Sequence, residues 1–267
     1  MKITIAGYGF VGKAVVNHFE NSVNLFDKFV LEIVDPQFEE WNYPISQDTD
    51  AVIICVSTPM SEEDGSCYMQ NVIDVISDSP DVPILIKSTI SLEGWEQIKL
   101  LFPKRKISFS PEFLRANTAL EDFQNTKYMI IGNDTRDSFW SSLFVKTLAC
   151  RVHHCTNEEA IIVKYMENSF LAMKVSFFNQ VYDLCQKTNT DFSQVRHLLT
   201  LDKRINPDHS FVTDERGWWG HCFPKDTSAI LHTAKQYDAQ LSLIQETVDY
   251  NKKLKMNQYH VLPNNDK

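Results

Sequence analysis

The stretch "GWWGHCFPKD", residues 217 to 226, carries the residue of this chain best equipped for covalent chemistry. A thiolate attacks carbonyl carbon and a thiol barely does, so the surroundings of Cys222 decide its use. Pro224 suits the first position of a helix, which would set Cys222 just ahead of unbonded N–H groups, with Lys225 close by. Both features favour the charged sulfur. The same letters also read as a small buried residue beside a capped helix.

Three further groups could handle protons or hold an oxygen. Lys164 and Asn168 stand four apart in a helical stretch and share one face, either a solvated edge or a polar site. A partly buried lysine there could stabilise an oxyanion or relay a proton. Glu112 in "SPEF" follows a strand and could cap a helix or act on water. Thr58 in "VSTP" and Thr89 in "KST" end strands, where they are turn formers or ligand contacts.

Phosphate chemistry is suggested at the other end of the chain. "GYGFVG" supplies Gly7, Gly9 and Gly12 after a strand and before a helix, with Tyr8, Phe10 and Val11 between them. The first glycine makes the turn, the second admits a pyrophosphate close to backbone, and the third packs helix on strand. The helix N-terminus offers N–H groups and partial positive charge to the phosphates. Asp35 lies 23 positions past Gly12, where an acid bonds a ribose 2′-hydroxyl and repels a 2′-phosphate. NAD is therefore favoured over NADP.

The elements that must position these groups follow from periodicity. Segments 2 to 7, 30 to 35, 51 to 57, 83 to 88, 106 to 110 and 127 to 132 read as strands, several apolar on both faces as buried parallel strands require. Segments 13 to 20, 69 to 77, 91 to 102 and 135 to 148 can form crossover helices. The fold class is α/β: a Rossmann-type, doubly wound parallel sheet, followed by an all-helical domain. The change falls at "CRVHHCTNEEA", giving a cofactor domain over 1–155 and a helical domain over 156–267. Thr156 or Asn157 can cap a helix of about thirty residues without Gly or Pro. A shorter helix near 191 to 200, a polar loop from 201 to 216, and helices near 225 to 237 and 240 to 255 follow.

Composition bounds the partners. A chain of 267 residues, 43% apolar and 23% charged, has an ordinary globular balance, and its net charge of −9 argues against nucleic acid or an anionic membrane as partner. No apolar run approaches the ~18 residues of a bilayer span, and glycines interrupt the opening segment too early for a signal peptide. Six scattered cysteines without C-x-x-C spacing read as reduced thiols, hence a cytoplasmic protein, and no metal-binding pattern is present.

Together the motifs resemble the UDP-glucose 6-dehydrogenase family of nucleotide-sugar dehydrogenases. The match runs through "GYGFVG", "VSTP", "KSTI", "SPEFLR", "VKYMENSFLAMKVSFFNQV", "LDKRI" and "HCFPKD", in the family's order, over nearly all of the first 230 residues. The resemblance implies a 6-phosphogluconate-dehydrogenase-like fold. It makes Cys222 the nucleophile, Asp226 its partner in positioning water, and Lys164 with Asn168 the holders of the reacting oxygen. Glu112 would manage the proton and water of thioester hydrolysis, with Thr89 beside the same water. Gly7 to Gly12, Asp35, Thr58, Thr89 and Lys225 would line the NAD site. Glu112, Lys164, Asn168, Arg204 of "LDKRI" and Gly220 would meet the substrate, Arg204 across a homodimer interface built on the 157–187 helix.

The implied reaction is a two-step, NAD-dependent oxidation of a sugar's C6 alcohol to the acid, UDP-glucose to UDP-glucuronate, through a thiohemiacetal and a thioester on the cysteine. Three departures stand out. Family members carry a C-terminal domain that binds much of the uridine diphosphate; the resemblance leaves open that a separate chain supplies it, that the substrate is held differently, or that the protein is a remnant. Ala116 replaces a usual glutamate, and Trp219 a usual glycine near the sugar. Two other readings stay open: a single-step hydroxyacid dehydrogenase that needs no thiol, and an NAD-binding interaction protein without turnover.

Overall fold

The computed structural model describes residues 1–22, 29–38, 44–61, 63–133 and 139–259. Seven strands form one sheet in the order β2-β1-β3-β4-β5-β6-β7. They are β1 (Lys2–Ala6), β2 (Val30–Val34), β3 (Ala51–Ile54), β4 (Ile84–Ile86), β5 (Ile107–Phe109), β6 (Tyr128–Gly132) and β7 (Arg151–Cys155). The first five run parallel, with the order reversing at β1 in the manner of a doubly wound sheet. β1, β3 and β4 are almost wholly buried, which explains their continuous apolar letters.

Two features depart from the expected sheet. β5 meets β6 antiparallel, through the single pair Phe109 and Gly132, so β6 and β7 run against the rest. At this seam the Phe109 N–H donates to the side-chain carbonyl of Asn157 at 2.8 Å. Gly132 is what admits that side chain: a Cβ there would sit 2.7 Å from Asn157 Cα. The seventh strand was not expected, because β7 is an edge strand with mostly exposed, polar letters.

Helices α1 (Phe10–Asn21), α2 (Gln70–Asp78), α3 (Leu92–Leu101), α4 (Ala119–Gln124) and α5 (Phe139–Leu148) accompany the sheet. The first positions of the helix expected over 135 to 148 lie outside the described residues. A core of Ile3, Ile5, Val15, Phe19, Phe123 and Trp140, among others, packs α1, α4 and α5 on the strands.

The chain divides into two compact units, Met1–Lys164 and Tyr165–Lys267. The division falls inside α6 (Asn157–Lys187), a single helix of 31 residues. It opens on a reciprocal cap: Glu159 N–H donates to Thr156 Oγ1 at 3.1 Å, and Thr156 N–H to Glu159 Oε2 at 2.8 Å. The second unit adds α7 (Phe192–Thr200), α8 (Cys222–Gln236) and α9 (Ser242–Tyr259). Its small core joins Ala172, Val175 and Trp218 with Phe223 and Val248.

Candidate functional site

In the first unit the turn after β1 is built by contact as much as by conformation. Gly7 has φ +95°, and a Cβ there would lie 2.6 Å from the carbonyl of Cys55. Gly12 is as tight, since a Cβ would meet Gly7 O at 2.0 Å. Gly9 differs: it is the N-cap of α1, and its ideal Cβ meets nothing within 4 Å. Open space thus faces the helix end where N–H groups lack helical partners. Asp35 follows β2, is buried, and accepts from the N–H groups of Tyr8 at 2.7 Å and Gln37 at 3.0 Å. Helix α1 starts at Phe10, earlier than expected, so Phe10, Val11 and Gly12 form its first turn.

A second cluster gathers beyond β4 and β5. Glu112 forms an ion pair with Lys87 at 2.8 Å, with 13% and 1% of the two side chains exposed. The other carboxylate oxygen of Glu112 accepts from Phe113 N–H at 3.1 Å, and its main-chain carbonyl accepts from Lys164 Nζ. Lys164 also lies over the Phe113 ring, 5.3 Å from its centroid. Thr58 Oγ1 donates to the carbonyl of Thr89 at 2.7 Å, linking the ends of β3 and β4. Burial around the Cys55 sulfur pushes its thiol up to about 12, which leaves it protonated and inert beneath the glycine turn.

The second unit holds the thiol. Cys222 is exposed and sits at the first position of α8, with Pro224 two residues inside the helix, where the sequence had suggested Pro224 first. Asp226 is buried, pairs with Lys225 at 2.5 Å and accepts from Asn168 Nδ2 at 2.5 Å. Lys225 therefore directs its charge at Asp226. Lys164 and Asn168 are both buried, so the solvated-edge reading of that pair is set aside.

The tryptophan loop is clamped from two helices. Trp218 N–H donates to Asn251 Oδ1 at 2.9 Å, and its indole N–H to Ser176 Oγ at 3.0 Å. Gly217 N–H and Arg216 both donate to Asn179, and Arg216 reaches Asp183 at 2.6 Å. Gly217 has φ +64°, and a Cβ there would strike Asn251 at 2.3 Å. Trp219 by contrast is half exposed, with Lys255 4.4 Å from its ring centroid, and does not seal Cys222 from solvent. Gly220, at φ +92°, is exposed with open space at its Cβ. Arg204 is 88% exposed and held by Asp202 in the loop after α7; Ala116 is exposed.

Lys87, Asn179, Arg216 and Asn251 escaped the sequence reading. Only Lys87 left a signal, as a lone cation closing the apolar run "PILIK".

Residues 37–147 match the model of the UDP-glucose/GDP-mannose dehydrogenase family's NAD binding domain, and residues 158–253 that of its central domain. The chain belongs to that family. It is 27% identical over 294 residues to a UDP-glucose 6-dehydrogenase of Rickettsia typhi, covering 94% of this chain and 67% of the relative. It is 31% identical over 220 residues to the UDP-glucose 6-dehydrogenase TuaD of Bacillus subtilis, covering 77% and 47%. Among solved structures, a UDP-glucose dehydrogenase from Pyrobaculum islandicum superposes with a TM-score of 0.79 at 24% identity, over 97% of this chain and 69% of that one. The chain thus shares the fold of the matching part of that structure.

The glycine turn and Asp35 precede the matched NAD-binding segment but belong to the same sheet through β1 and β2. They fit the dinucleotide: Gly9 leaves room at a helix N-terminus, and a buried carboxylate closes the neighbouring strand. Among the described residues no helix is long and apolar enough to cross a membrane, and no group of acids, histidines and cysteines could hold a metal.

Proposed function

We propose that this protein oxidises the primary alcohol of a nucleotide sugar, UDP-glucose first among the candidates, to the carboxylate in two NAD-dependent steps. The observation that carries the reading is the exposed Cys222 opening α8, four residues ahead of a buried, doubly partnered Asp226, in a chain of this family. Gly7 to Gly12 and Asp35, with Thr58, Thr89 and Lys225, would hold NAD, which when bound would supply the hydride acceptor.

The remaining work falls to side chains. Lys164 and Asn168 hold the sugar oxygen as its proton leaves and the alcohol becomes an aldehyde. The sulfur of Cys222 adds to the aldehyde carbon, making a C–S bond and a thiohemiacetal. Loss of a second hydride and of the hydroxyl proton turns this into a thioester. Water then adds to the thioester carbon and gives its proton to Glu112; the C–S bond breaks, the carboxylate leaves, and the thiol is restored. Covalent capture divides a hard oxidation in two and keeps the aldehyde bound. Asp226 and Thr89 orient the water, and Arg204 and Gly220 contact the substrate.

A homodimer through α6 belongs to the same reading. Val163, Phe170, Phe177 and Leu184 recur every seven residues along the helix and are all exposed, the two phenylalanines by 62% and 53%. Such a seam is what one helix offers another. Six free cysteines support a reducing, cytoplasmic setting.

The test is to supply NAD with UDP- and GDP-sugars and count reduced cofactor. Two NADH per sugar, lost in Cys222→Ser, support the proposal. One NADH with an indifferent Cys222 would turn the assignment to a single-step hydroxyacid dehydrogenase. NAD binding without turnover of any sugar would leave an interaction protein.

A further inference from the structure

We infer that Lys87 is a positioning residue for Glu112, fixing the carboxylate that receives the proton of the hydrolytic water. The inference rests on the role given to Glu112 above. Lys87 follows β4 with its side chain 1% exposed, and its ammonium is placed between the Glu112 carboxylate at 2.8 Å and the Ser110 carbonyl and hydroxyl at 3.4 and 3.3 Å. The Phe123 ring lies beneath it, 5.7 Å away.

A buried lysine is costly, and replacing a buried ion pair with apolar residues is often neutral or stabilising. Stability is therefore a weak reason for a cation at this point. Geometry is a better one. Glu112 stands on the loop after β5, and apart from Lys87 its carboxylate is bonded to the N–H of its own neighbour, Phe113. The lysine comes from a different strand and ties that loop to β4. Two residues further on, the Thr89 carbonyl accepts from Thr58, so the end of β4 secures two of the three groups assigned to the water, Glu112 and Thr89. A fixed, ionised carboxylate is what a proton acceptor requires.

The test reads hydrolysis separately from oxidation. Wild type, Lys87→Arg, Lys87→Met, Glu112→Gln and the double variant Lys87→Met/Glu112→Gln are mixed with NAD and UDP-glucose. NADH is followed by stopped flow, and the acyl adduct on Cys222 by intact mass. In Lys87→Met we expect the first-turnover burst to persist, steady turnover to fall about 10²-fold, and the adduct to accumulate. Lys87→Arg should restore most of the steady rate. A purely structural lysine would lower burst and steady rate together, without adduct, and that result overturns the inference. So does a folded Lys87→Met that turns over like wild type.

Should Lys87→Met not fold, the double variant decides. Adding Lys87→Met to Glu112→Gln should change hydrolysis less than about twofold, because coupled residues are not additive; a further tenfold loss overturns the proposal. A wild-type chain that yields no NADH overturns the dehydrogenase reading and this inference with it, and is told apart by needing no variant.

Discussion

Asn168 on α6 donates its side-chain amide to Asp226 on α8, and that carboxylate is otherwise paired with its neighbour Lys225. Asp226 is 1% exposed, so each partner offsets part of the cost of burying its charge. Asn168→Ala should lower unfolding stability by about 1–3 kcal/mol in urea melts, the cost of an unmet buried acceptor. A change below the error of the melt would mean that Asp226 finds water instead.

The two glycines of the turn should separate folding from cofactor binding. Gly7→Ala places a Cβ 2.6 Å from backbone at φ +95° and should destabilise the fold by more than 1 kcal/mol, roughly the cost of forcing a side chain into that region. Gly9→Ala meets only open space, so its melt should match wild type while NAD affinity falls at least about tenfold. Calorimetric titration with NAD alongside urea unfolding checks both.

Cys222 should be the first thiol to react. It is exposed, whereas Cys67, Cys150 and Cys185 are buried, and desolvation raises the thiols of Cys55, Cys150 and Cys155. Native-state iodoacetamide labelling with peptide mapping should find Cys222 modified before the other five. The rate should follow exposure and the helix end rather than Lys225, whose ammonium is bonded to Asp226.

The apolar stripe on α6 should set the oligomeric state. Phe170→Asp with Phe177→Asp should convert a dimer to monomers in sedimentation velocity without loss of helix signal. Unchanged sedimentation of the variant would remove the proposed interface.

Acid should weaken the first unit through one histidine. His18 is buried against Phe19 and Phe123, and desolvation lowers it from 6.5 to about 4. The unfolded chain binds the proton more readily than the native one, so this contribution is whole above pH 6.5 and is lost as pH falls toward 4. The loss is about 3 kcal/mol across that window. His18→Leu should flatten the stability profile between those pH values, as measured by denaturant midpoints.

Much of this was legible because burial and turn geometry leave letters behind. β1, β3 and β4 are dry on both faces and read as unbroken apolar runs; Gly7 is fixed by φ and space and Gly12 by space, while Gly9 leaves the helix end open. β7 was silent, since an exposed edge strand needs no apolar alternation. The reversal at β6 is accompanied by Asn157 bonding Phe109, 48 residues away, and no local pattern announces a contact of that range. Lys87 was visible only as an oddity, because its meaning lies in a carboxylate from another strand's loop.

One uninterrupted turn of α6 separates the lysine that reaches the Glu112 carbonyl from the asparagine that reaches Asp226. Each added residue rotates a helix by about 100° and lengthens it by about 1.5 Å. A single insertion between positions 164 and 168 would take Lys164 and Asn168 off their common face of the helix, whatever amino acid were inserted. Between those two positions the spacing is under stricter constraint than the letters that fill it.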